Sequence, residues 1–310
     1  MKRAILLSII LLAYLALSAG CGTVKSWYKA GTDSVKSVSA KVVPGKRSGL
    51  KKRVLLLPLM DQAGLGEKKT EEVTGTLVNF LQQDGSLILE RSSISLQSAT
   101  EVRSPELGIV IDPELAQMSE EMGMNVLVTG ILSPFEITSK KTGIWPWRKL
   151  KREIEISMIM NVFDITNGTL FLSSIEKDKV KMDVDQSGEI EGKLELDDMV
   201  LNKAITGILN RHASAIRETL RDQPWTGRLM SAANNKIMIN AGKDVGIRSG
   251  SVFEVFGEGE SLRSASGQLL YLLGPKVGEV KITEVMERLS SAVPLSGEQF
   301  KPGHIIRPKN

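Results

Sequence analysis

Apolar positions change their spacing several times along the chain, and each change predicts an element. From Val54 to Leu59 (VLLLPL) they run without a break, the pattern of a strand buried on both faces. Between Thr70 and Gln83 they recur at Val73, Leu77, Phe80 and Leu81, which predicts a helix with one inward stripe. Leu87-Ile88-Leu89 begins a second strand. A second helix is punctuated by Asp112 as N-cap, Pro113 in the first turn and Gly123 as terminator, with Leu115, Met118 and Met122 inward. Asn125 to Leu132 (NVLVTGIL) then reads as a returning strand.

Further on the period drops to two. Ile154, Ile156, Met158, Met160 and Val162 alternate with Glu153, Glu155 and Ser157, and Asn167-Gly168 turns this long strand back into Leu170, Leu172 and Ile175. A closing helix is predicted near Leu196–Leu220, with Leu201, Ile205, Ile208, His212 and Ile216 on one stripe. Strands joined first by crossovers and then by hairpins imply an α+β fold, a mixed sheet with packed helices. Asp222-Gln223-Pro224-Trp225 marks a boundary. Beyond it KIMINAGKDVGIRSGSVFEVFGEG, VGEVKITEVMERLSSAVPLSG and HIIRP supply five short strands with glycine turns, which predicts a small β-barrel. The folded domains are expected at 51–222 and 223–310.

Charge changes the picture at the front of the chain. Between residues 22 and 53 nine cations (Lys25, Lys29, Lys36, Lys41, Lys46, Arg47, Lys51, Lys52, Arg53) face Asp33 alone, a net +8. Lys2 and Arg3 add +2, so for the chain to total +4 residues 54–310 carry −6. A nucleic-acid reading of the basic pI therefore fails, because the folded part is acidic. Residues 21–50 are expected to be a basic tether suited to an anionic membrane surface, with Trp27 and Tyr28 at the lipid interface.

Ahead of it, residues 1–20 have a positive start, a short apolar run and Ser18-Ala19-Gly20, the three parts of a signal peptide. The run is too short for a spanning helix, which needs roughly 20 residues. Leu17-Ser18-Ala19-Gly20-Cys21 resembles the bacterial lipoprotein box, and the resemblance implies that Cys21 carries the lipid. Two or more acyl chains make a lasting anchor. Cys21 is the only cysteine, so disulfides and thiolate metal sites are excluded.

Residues that carry chemistry are sparse. His212 sits on an apolar stripe and is expected to be a partly buried histidine with a local hydrogen-bond partner, and His304 a turn residue. Gly242-Lys243-Asp244-Val245-Gly246 leads into a strand rather than a helix, so it is a turn and no phosphate cradle. Asp183, Asp185 and Ser187 fall at calcium-loop spacing, but the twelfth position is Leu194 instead of a glutamate, which favours a solvated acidic loop over a metal. Trp145-Pro146-Trp147-Arg148 lies in a loop, since proline does not fit a central strand. Trp145, Trp147 and Arg148 have hot-spot composition and are the candidate partner site; the alternative is that the rings fold back onto their own sheet. No clustered acid, base or nucleophile appears, so neither an enzyme nor a cofactor is expected.

The order RVLLLPLMD, helix, LAQMSEEMGMNVLVTGIL, hairpin VFDITNGTLFLSS and closing helix resembles the module of the curli-secretion lipoprotein CsgG and of peptidoglycan-synthase activator lipoproteins. INAGKDVGIRSGSVFEVF with GEVKITEVMERLSSAVPLSGEQFKPGHII is similar to the SH3-like C-terminal domain of flagellar assembly protein T. These resemblances imply a non-enzymatic outer-membrane lipoprotein that scaffolds an envelope complex, flagellar basal-body-like, through envelope proteins, membrane lipid and a homo-oligomeric state. Alternatives are a curli-type secretion-channel subunit and a regulator of peptidoglycan synthesis. Only the hairpin Val126–Val162 is expected to be elongated, whereas a channel subunit of that family uses two.

Overall fold

The computed structural model describes residues 38–39, 49–92, 113–142, 149–183, 198–233, 236–263 and 269–309. All contacts below lie within the compact unit Val38–Asn310. Its first half runs β1 (Val38–Ser39), β2 (Lys52–Leu56), β3 (Met60–Asp61), α1 (Glu67–Gln82), β4 (Leu87–Arg91), α2 (Pro113–Glu121), β5 (Val126–Leu132), β6 (Glu136–Thr142), β7 (Lys149–Asp164), β8 (Leu170–Asp183) and α3 (Asp198–Asp222).

β2 is buried at every position, its two leading cations as well as Val54–Leu56, where the apolar run begins. It lies parallel to β4 on one side and β5 on the other, while β5, β7 and β8 pair antiparallel, so the sheet is mixed. Its order is β1-β8-β7-β5-β2-β4, with β3 on β5 and β6 on β7. Pro58 ends the apolar run as a strand, and β3 resumes two residues later on a new register. Between β3 and α1 the Asp61 carboxylate accepts N–H bonds from Ala63, Gly64 and Gly66, which shapes the turn before the helix.

Alternation on each strand builds two cores. Val54, Leu56, Val128, Ile156, Met158 and Met160 pack on one face against Val73, Leu77 and Leu81 of α1 and Ile205, Ile208 and Ile216 of α3. Leu55, Leu57, Leu127 and Phe163 pack on the other with Leu115 of α2 and Met124. The predicted helices form with ends shifted by a few residues, except that α2 stops at Glu121 and Met122, expected inward, is 40 % exposed beyond its end. β7 and β8 pair from Lys151–Asp183 down to Phe163–Leu170 around the turn at Asn167-Gly168, where Gly168 has φ 71°. This second long pairing corrects the expectation of a single elongated hairpin.

The second half runs β9 (Gly227–Ala233), β10 (Lys236–Ile239), β11 (Val252–Arg263), β12 (Leu269–Val285), β13 (Ser290–Gly297) and β14 (Ile305–Pro308). They pair in the order β10-β13-β12-β11-β14-β9, and β9 returns to β10 to close the ring. The sequence pattern predicts five of these strands. β9 is the sixth, missed because only Gly227 to Leu229 alternate in burial before the strand becomes exposed. Trp225, Leu229, Ile237, Ile239, Phe253, Val255, Val280, Ile282 and Ile306 fill the interior, with the Trp225 and Phe253 rings 5.9 Å apart.

Candidate functional site

The most elaborate polar arrangement among the described residues lies where the start of β2 meets the second half of the chain. Successive side chains of a strand leave on opposite faces, so Lys52 and Arg53 reach different targets. Lys52 Nζ donates to the Leu220 carbonyl and, at 2.6 Å, to the Gln223 carbonyl, capping the C-terminal end of α3. Arg53 donates to Asp244 (Nε–Oδ2 2.9 Å), Asn240 O (2.7 Å), Gly123 O (3.4 Å) and Arg288 O (3.2 Å). One guanidinium thus ties β2 and the end of α2 to two turns of the barrel.

The neighbours complete the seam. Lys51 N–H donates to Val245 O at 2.9 Å, and Trp225 Nε1 donates to Lys51 O at 3.0 Å. Asn125 accepts from Arg53 N–H (2.9 Å) and donates to Thr226 O (2.5 Å). Arg228 of β9 pairs with Glu120 of α2 at 3.0 Å. Gly242 is required in this turn, because a Cβ there would lie 2.3 Å from the Met286 carbonyl oxygen.

Lys52 and Arg53 are 8 % and 3 % exposed. They are internal fasteners, so of the +8 counted over residues 22–53 the tether 22–50 itself carries +5. The signal was present in the sequence as two cations leading directly into an unbroken apolar run. Burial lowers the Lys52 pKa to about 8, partly offset by Asp164 and Asp222. The Asp164 carboxyl is pushed up to about 6 by its burial, although Thr166 donates to it and Arg307 and Arg228 lie near. Burial also lowers the Arg307 pKa, and its guanidinium sits 5.8 Å from the Phe256 ring centroid. Lys52 and Arg53 spend their donors on backbone carbonyls and on Asp244, which braces the fold.

His212 is fully buried, more so than its sequence position suggests. Its Nδ1 lies 2.9 Å from Ser174 Oγ and its Nε2 3.1 Å from Met158 O, which pins α3 to β7 and β8. Burial lowers its pKa to about 4, so it is neutral at pH 7. His304 is also buried, against Lys301 N–H at 3.4 Å. Among the described residues no three His, Cys, Asp or Glu side chains stand close enough to hold a metal, and no helix is long and apolar enough to cross a membrane. Cys21, Trp145, Trp147, Arg148, Asp185 and Ser187 lie outside the described residues. Asp183 ends β8, its backbone opposite Lys151.

One surface was missed altogether. β11 and β12 run beyond the barrel, since β14 pairs only with Phe253–Phe256 and β13 only with Gly278–Val285. The excess forms a two-stranded arm in which Leu262, Leu272 and Leu273 are 48 %, 47 % and 36 % exposed. The strands cross closely at its base: a Cβ on Gly259 would lie 1.9 Å from the Leu272 carbonyl oxygen. The run Leu269–Leu273 does not alternate, so it gives no strand signal.

No family model and no curated protein matches the chain. Several solved structures resemble part of it. A PelC dodecamer from Paraburkholderia phytofirmans is 11 % identical with a TM-score of 0.35, covering 61 % of this chain and 98 % of that one. A hypothetical protein from Chlamydia trachomatis is 16 % identical with a TM-score of 0.34, covering 55 % and 96 %. A minor lipoprotein from Acinetobacter baumannii is 9 % identical with a TM-score of 0.28, covering 56 % and 92 %. Likeness at this level carries no inference about what this chain does.

Proposed function

We propose that this chain is a non-enzymatic lipoprotein of the bacterial outer membrane, anchored through Cys21 and acting as a scaffold for an envelope assembly. The observation that carries the reading is the use made of its buried charges. Lys52 and Arg53 fasten helix, sheet and barrel together through backbone carbonyls and Asp244. A scaffold needs that stiffness, because docking surfaces keep their spacing only if the modules between them do not hinge. A CsgG-type module followed by the SH3-like end of flagellar assembly protein T fits this order of elements, and a flagellar basal-body-like complex is the setting it suggests. In this reading Trp145, Trp147 and Arg148 supply a contact tip, and the basic segment 22–50 rests on anionic lipid.

Growing cells on alkyne-palmitate and separating their membranes by density tests the anchor. The wild-type chain should take up label and band with the outer membrane, and Cys21→Ala should take up none. Label that survives without Cys21, or a wild-type chain in the soluble fraction, overturns it. The double variant Trp145→Ala, Trp147→Ala should stay in the membrane and lose a defined envelope partner on affinity purification. An unchanged partner list removes the tip from the contact.

A further inference from the structure

The arm formed by β11 and β12 raises a physical difficulty. A two-stranded ribbon is marginal alone in water, and this one leaves the outer edge of β12 without a strand partner among the described residues from Leu269 to Val277. Register places Leu262 opposite Leu270 and Ser261 opposite Tyr271. Exposed Leu272 and Leu273 therefore lie on the edge strand itself, with exposed Leu262 on β11 beside it, and the outward N–H and C=O groups of that edge have no strand partner among the described residues.

Three kinds of occupant differ in what they require. A bilayer core is excluded, because an open edge carried into hydrocarbon leaves its backbone groups unsatisfied at several kcal/mol each, an order-of-magnitude cost. A charged peptide finds no complement, since the twelve residues Ser264–Pro275 carry no charge. A second copy of the same segment meets neither obstacle. The other open edges among the described residues carry charge: β6 has Lys140 and Lys141, β8 has Lys177, Lys179 and Lys181, and the β11 side of the arm has Glu258 and Glu260, so a two-fold pairing there sets like charges together. On the β4 edge, Glu90 and Arg91 are engaged with Arg288 and Glu71.

The segment is also its own mirror in sequence. Leu269-Leu270-Tyr271-Leu272-Leu273 reads the same in both directions. An antiparallel pair about a two-fold axis at Tyr271 sets Leu270 beside Leu272 and Leu269 beside Leu273 of the other copy, all apolar, in an isologous contact. We propose that two copies of this chain join through the β12 edges of their arms, antiparallel about Tyr271, making one four-stranded sheet from two ribbons. This goes beyond the scaffold reading and stands without it.

The test uses the full chain in detergent, with Cys21→Ser so that an introduced thiol is the only one. Residues opposed across an antiparallel two-fold have Cα atoms about 4.5–5.5 Å apart, within disulfide range. Tyr271→Cys should give a disulfide-linked dimer on mild oxidation, whereas Ser261→Cys, on the inner strand, should stay at least tenfold less cross-linked. Leu272→Lys should shift the wild-type dimer to monomer by sedimentation equilibrium, with an unchanged melting temperature showing that the barrel persists. A monomeric wild type, equal cross-linking at 261 and 271, or a dimer that survives Leu272→Lys overturns the proposal. Should Leu272→Lys unfold the chain, the two cysteine variants still decide.

Discussion

The Arg53 guanidinium lies 2.7 Å from the Asp244 carboxylate, across 191 residues of sequence. The pair is mostly withdrawn from water, and Arg53 gives its remaining donors to Asn240 O, Gly123 O and Arg288 O. A buried pair of this kind contributes little over an apolar replacement, but losing one partner strands the other. Its service is positional, fixing which turn of the barrel meets which strand of the sheet.

Arg53→Met should therefore lower stability by about 3 kcal/mol, read as a lower urea midpoint. Arg53→Lys should recover only part of that, because an ammonium cannot reach the same set of carbonyls in a fork. Adding Asp244→Leu to Arg53→Met should restore part of the loss. A midpoint that does not move with Arg53→Met removes the seam from the stability of the fold.

His212 and Asp164 give the chain two opposed acid responses. The folded pKa of His212, about 4, lies below its ordinary 6.5, so its contribution is whole above pH 6.5 and is lost as pH falls toward 4. Asp164 is the reverse: its folded pKa, about 6, lies above 3.8, so its burial costs stability above pH 6 and the cost fades on acidification. Relative to wild type, His212→Gln should gain about 2 kcal/mol between pH 7 and pH 5. Asp164→Asn should lose ground over the same interval. Parallel urea midpoints for all three chains at both pH values would remove both assignments.

Lys52 acts on the alkaline side. Its folded pKa of about 8 against 10.5 means the unfolded chain holds the proton longer, so stability rises as pH goes from 8 toward 10.5. Lys52→Met should lose about 1–2 kcal/mol at pH 7 through two uncapped carbonyls and show no such rise. Chemical denaturation at pH 7, 8.5 and 10 checks both statements.

Thr129 and Asn161 are opposed on β5 and β7, both buried, and their side-chain polar atoms have no hydrogen-bond partner. Replacing an unpartnered buried group by an apolar one of its shape removes a desolvation cost. Thr129→Val should raise stability by about 1 kcal/mol in a thermal melt. A comparable loss would show that the hydroxyl has a partner after all.

The sheet was legible because period and burial agree there: VLLLPL fills the cores on both faces, while the alternation through Ile154–Val162 and the stripe through Ile205–Ile216 each match one face. The seam was not, because a cation's destination depends on contacts such as Arg53 with Arg288, 235 residues away, and charge alone suggested solvent. Polar residues inside apolar strands, Thr129 in VLVTGIL and Asn161 in MIMNVFD, were visible but silent about partners. The arm escaped because LLYLL has no alternation, and β9 because most of its length is outside the core.

Ring closure has a consequence in time. The barrel closes where β14, ending at Pro308, meets β9 at Arg228 and Gly227, and Arg53 finds its carbonyl at Arg288. Contacts this far apart in sequence form slowly. A chain emerging from its amino end can build β2, β4 and β5 early, yet Arg53 then waits with no anion until the turn at Asp244 arrives. Cutting the chain ahead of β14 should leave an open ring and an unlatched sheet together, a paired defect that a protease reads as one. Integrity of the last few residues thereby becomes a condition for the first strand of the body to be secure.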